Sequence, residues 1–114
     1  MPFIRGRDMS NIGTIKLGGA EFSRLIVGGN PFSGVSHQNP RTDLAMKRYF
    51  TSARIMETLR TAESCGITTF IGRADRHITR LLFEYRNAGG TLKWIAPTCP
   101  EISSQARSVG HAIA

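Results

Sequence analysis

The sequence predicts an α/β fold: the N-terminal part of a (β/α)8, or TIM, barrel, preceded by a β-hairpin and incomplete within this chain. Three observations carry that expectation. Short continuous apolar runs, which suit strands buried on both faces, alternate with segments of helical periodicity. Glycines punctuate the junctions between them. At 114 residues the chain falls well short of the roughly 250 that a closed barrel takes.

Residues 1–12 read as a flexible N-terminal tail and residues 13–114 as one partial barrel domain, a hairpin plus three strand–helix units. Residues 13–24 form the hairpin, with Gly18 and Gly19 supplying the positive φ of its tight turn. Leu25, Ile26 and Val27 are the first buried strand, and Gly28 and Gly29 end it. From Asn30 to Pro40, two prolines, a glycine and several polar residues define a loop. Its continuation to Phe50 is read as irregular, apart from a helical turn at Leu44–Met46. Thr51 is the expected N-cap of a helix running to about Cys65. Ile55, Met56, Leu59 and Ala62 make its apolar stripe, and Gly66 stops it. Ile67 to Ile71 is the second strand. Asp75 is placed to cap a helix from Arg76 to Asn87, whose stripe is Ile78, Leu81, Leu82 and Tyr85. Gly89 and Gly90 end that helix, Leu92 to Ala96 is the third strand, and Glu101 to Ala114 begins a third helix.

Parallel strands joined by covering helices leave a sheet edge open after three units. The missing barrel half, in a longer protein, or a partner chain is therefore expected to complete the sheet.

Composition narrows the function classes. The chain is 40% hydrophobic and 20% charged, an ordinary globular mixture. It has no apolar run of membrane-spanning length and no signal peptide, so no membrane association and a cytoplasmic location are expected. Cys65 and Cys99 are too few for a disulfide framework and too far apart for a metal knuckle. The net charge is +7, from 15 Lys and Arg against 8 Asp and Glu. The arginines are dispersed and lack any aromatic nucleic-acid motif, so a nucleic-acid partner is not expected.

The run Ile15 to Gly29, together with Ala62 to Phe70 (Ala-Glu-Ser-Cys-Gly-Ile-Thr-Thr-Phe), resembles the aldo/keto reductase superfamily over about two thirds of the chain. The resemblance implies a hairpin-plugged barrel, an oxidoreductase activity on a small-molecule substrate, and NADP as cofactor. It does not extend to the family's catalytic residues. Ile71 stands where the resemblance calls for an aspartate, and no tyrosine follows in Gly72–His77. Lys93 lies near the start of its strand rather than the end. The family's proton donor cannot be placed here.

Barrel chemistry is expected at the C-terminal ends of the strands. That rule selects Asn30, Phe32, Ser33 and His37 after the first strand, Arg73, Asp75, Arg76 and His77 after the second, and Thr98 and Cys99 after the third. Asp75 and His77 are the catalytic candidates, a carboxylate two residues from an imidazole; Asp75 is equally explained as a helix cap. Asn30, Ser33, Arg73 and Arg76 are the candidates for holding an anionic ligand. No metal site is assigned, since His37, Asp75 and His77 have no recognised ligand spacing. A different barrel enzyme, such as a metal-assisted hydrolase, lyase or isomerase using Asp75 and His77, is the second reading. A non-catalytic remnant is the third.

Overall fold

A computed structural model describes residues 12–98 together with Val109, Gly110 and Ile113. The reading of residues 1–12 as a tail falls, except for Ile12, outside the described residues, as do Cys99 and most of the final helix; Val109, Gly110 and Ile113 are helical.

The hairpin forms as the glycine pair demands. Strand β1 (Thr14–Leu17) pairs antiparallel with β2 (Ala20–Ser23), placing Thr14 opposite Ser23 and Leu17 opposite Ala20. Gly18 and Gly19 have φ of 56° and 84°, the mirror-image turn that matches strand twist. A second sheet has the order β3 (Val27–Gly28), β4 (Thr69–Ile71), β5 (Lys93–Ile95), all parallel. Its rows are Val27–Phe70–Trp94 and Gly28–Ile71–Ile95. The expected direction and order of the three strands are found.

The barrel expectation is not. The described chain is a small α/β fold of two separate sheets and three helices, with no sign of a barrel's opening portion. Closure needs long, tilted, staggered strands, whereas the parallel strands here have two, three and three residues. Strand–helix alternation dictates local parallel pairing but is shared by open sheets and barrels alike. The first strand is corrected as well. Leu25 and Ile26, read as buried on both faces, are 58% and 38% exposed, because pairing begins only at Val27.

Three helices accompany the sheet: α1 (Pro40–Tyr49), α2 (Ser52–Ser64) and α3 (Arg76–Asn87). The first was foreseen only as a turn. Asn39 accepts a hydrogen bond from the Thr42 amide at 2.8 Å, with Pro40 in the first turn, where its missing N–H costs nothing. Helix α1 has no buried residue, so no apolar stripe announced it. Helices α2 and α3 match their expected bounds. Thr51 Oγ1 accepts from the Arg54 amide at 3.3 Å and Asp75 Oδ1 from the Ile78 amide at 2.9 Å. Gly66 and Gly89, at φ 93° and 101°, follow their C-termini. Ile55 and Leu59 of α2 and Ile78, Leu81, Leu82 and Tyr85 of α3 close on Phe32, Phe70 and Leu92 as one core. Replacing Asp75 with alanine leaves the first turn of α3 uncapped. Urea titration is expected to show a loss of about 1 kcal/mol, and an unchanged midpoint would contradict the cap.

Two contacts tie the hairpin to the parallel sheet. Ser23 and Thr68 exchange hydrogen bonds, the Ser23 amide donating to Thr68 Oγ1 at 2.8 Å and the Thr68 amide to Ser23 Oγ at 2.9 Å. Lys93 Nζ donates to the Glu21 carbonyl at 2.5 Å and lies over the Phe22 ring.

Candidate functional site

The loops at the C-terminal ends of β3 and β4 are built on Phe70. Its ring stacks on Phe32, with centroids 6.0 Å apart, and lies directly beneath Gly29 and Gly72. A Cβ at Gly29 would come within 2.8 Å of the Phe70 ring, and one at Gly72 would overlap it outright. Both strands can therefore turn tightly over the ring. After β3 the chain makes a 3₁₀ turn, Asn30–Ser33, which ends at Gly34 in the left-handed region with φ 71°. Gly34 also clears space for the stem of Lys47, which a side chain there would strike. After β4 the loop is pinned to β5 and beyond. The Gly72 amide donates to Ile95 O at 3.2 Å, Ala74 to Pro97 O at 2.9 Å, and Trp94 Nε1 to Gly72 O at 2.9 Å.

These loops and α1 surround a cleft of about 380 Å³ lined by Phe32, Ser33, Lys47, Phe50, Arg73, Asp75 and His77. Phe32 meets Phe50 edge to face with centroids 5.0 Å apart, so one wall is aromatic. The other wall carries Lys47, Arg73 and His77. Among the described residues of the lining Asp75 is the one carboxylate, and each of its oxygens has a partner. Oδ1 caps α3, and Oδ2 lies 3.8 Å from Arg73 Nε. Asp75 thus caps α3 and forms an ion pair with Arg73.

Of the residues selected from sequence, Phe32, Ser33, Arg73, Asp75 and His77 are brought together. Arg76 is not. One residue beyond the cap, it lines a different groove between α3 and β5. Asn30 and His37 also lie outside the cleft lining and face each other, with Nδ2 and Nε2 3.3 Å apart. His37 holds φ 60°, unusual for a residue with a Cβ. Next to it, the Ser36 hydroxyl and amide both donate to Asp43 Oδ1, at 2.6 and 2.8 Å, and hold that carboxyl below its ordinary value. Among the described residues no three His, Cys, Asp or Glu side chains are grouped to hold a metal ion. The arrangement of His37 with Asp75 and His77 is thus not formed. Lys47 and Phe50 are the site residues that sequence reasoning missed, because they belong to the helix foreseen only as a turn and to its C-cap.

No protein family, curated protein or solved structure matches the chain. Among the described residues no helix is long and apolar enough to cross a membrane.

Proposed function

We propose that the chain binds a small anionic ligand, a phosphate or carboxylate borne on an apolar or planar body, in the cleft at the ends of β3 and β4. One observation supports the reading above all. Lys47, Arg73 and His77 come from three different elements and converge on one cavity whose described lining holds one carboxylate, Asp75, itself a helix cap paired with Arg73. Two cationic side chains and an imidazole supply donors suited to an oxyanion, and charge-assisted hydrogen bonds are the stronger kind. Phe32 and Phe50 offer the apolar surface for the rest of the ligand. NADP, the cofactor implied by the aldo/keto reductase resemblance, is one ligand of this class. An oxidoreductase reaction would need a proton donor from outside the three family positions, all of which are substituted here.

Calorimetric titration with inorganic phosphate and, separately, with NADPH tests the reading. At least one is expected to bind, with Lys47→Ala weakening the affinity about tenfold and leaving the fold intact. Absence of binding by either up to about 10 mM would reject it.

A further inference from the structure

The groove that captures Arg76 is the larger and more apolar of the two surfaces. It encloses about 670 Å³ and is lined by residues of α3 together with Trp94 of β5, at the sheet edge with no neighbouring strand among the described residues. Its floor is Leu82, Phe83 and Trp94, and Phe83 is 56% exposed. Phe83 and the half-buried Trp94 together give the groove an aromatic floor. Around this floor stand Arg76, Arg80 and Arg86, with no carboxylate among the described residues of the lining. Arg80 pairs at 2.7 Å with Glu84 on the same helix, and Arg86 donates to the Leu92 carbonyl at 3.3 Å. With Glu84 counted, the described residues of the rim keep a net positive charge, and Arg76 is exposed.

We infer that this groove docks an acidic amphipathic helix of a protein partner, its apolar stripe on Phe83 and Trp94 and its carboxylates on the arginine rim. The choice of occupant follows from charge. A second copy would bring another arginine rim and another chain of net charge +7 against the first, a like-charge pairing that costs rather than gains. A concave trough along a helix, with an aromatic floor and a cationic rim, has the shape and chemistry of helix-in-groove recognition. Aromatic side chains and arginine are the residues that dominate such interfaces.

The test uses the full chain and a synthetic glutamate-rich helix of about 18 residues with a leucine stripe. Two control peptides accompany it, one with the stripe scrambled and one with lysines replacing the glutamates. Binding is followed by fluorescence anisotropy of the labelled peptide. The striped acidic peptide is expected to bind in the micromolar range, more weakly as salt is raised, and about tenfold more weakly to Phe83→Ser and to Arg76→Glu. Both substitutions are at exposed positions, and circular dichroism confirms that each variant is folded. Lys47→Ala, in the other cleft, should leave peptide binding unchanged. The proposal fails if the peptide shows no binding up to about 1 mM, or if the scrambled or lysine peptide binds equally well. It also fails if Arg76→Glu has no effect. Two further results would assign the groove elsewhere and overturn the proposal. One is self-association of the chain that Phe83→Ser abolishes; the other is binding to vesicles of anionic lipid without binding to peptide.

Discussion

Replacing Phe70 with alanine is expected to destabilise the fold by about 3–5 kcal/mol, enough to unfold much of a small domain at room temperature. Phe70 is 1% exposed and occupies the middle strand of the parallel sheet. It packs on Phe32, which in turn packs on Phe50, so one ring supports the aromatic wall of the cleft. Its upper side is covered by backbone at Gly29 and Gly72 rather than by side chains that could turn inward. The site has little means of collapsing around a missing ring, and the cost of such a deletion grows with the cavity left behind. Urea unfolding monitored by circular dichroism measures the loss. Phe70→Leu, which retains much of the volume, should lose clearly less. A loss below about 1 kcal/mol for Phe70→Ala would mean that the strand ends are not organised around this ring.

The second large effect is expected at Glu63. Near the C-terminal end of α2, its carboxylate accepts from the Tyr85 hydroxyl, from the Thr91 amide at 3.0 Å and from Thr91 Oγ1 at 2.8 Å. One side chain thereby joins α2, α3 and the approach to β5. The Thr91 amide, followed by the Tyr85 hydroxyl, holds the Glu63 carboxyl below its ordinary 4.5, while burial pulls the other way. Burial and the neighbouring carboxylate push the Tyr85 phenol up, so it remains a donor throughout the working range. Glu63→Ala removes the acceptor for both Thr91 donors and leaves the Tyr85 hydroxyl only the longer contact to the Leu59 carbonyl at 3.4 Å, and a loss of about 2–3 kcal/mol near neutral pH is expected. The pH dependence has a definite sign. A carboxyl whose folded pKa lies below its unfolded one adds stability that is fully present above about 4.5 and disappears as pH falls through the lowered folded value. The stability gap between the natural chain and Glu63→Gln should therefore narrow on acidification below 4.5. A gap that stayed constant or widened there would show that the charge of Glu63 contributes nothing to the clamp.

How far the sequence foretold these features depended on whether a feature was local. The stripe Ile78, Leu81, Leu82 and Tyr85 is periodic, and all four residues are buried. Thr51 and Asp75 cap where their spacing to the following helices said they would. Parallel pairing followed from alternation. Helix α1 was nearly invisible, since Asn39 and Pro40 read equally as a loop and as a helix start, and no buried side chain signalled a face. Lys47 was lost with it. The split between His77 in the cleft and Arg76 in the groove is a matter of successive residues on a helix pointing about 100° apart, which a list of clustered charges does not register. Barrel closure depends on how whole strands are inclined and offset, a global quantity that no local run encodes.

The hairpin carries a practical consequence. All four residues of β1 are exposed, and a Cβ at Gly18 or Gly19 would meet nothing within 4 Å. Anchorage comes instead from the far end of β2 and from Lys93. The Gly18–Gly19 tip is thus the natural place to graft an affinity tag or a dye, because loop tips of this kind accommodate inserted sequence while the packed interior is left undisturbed.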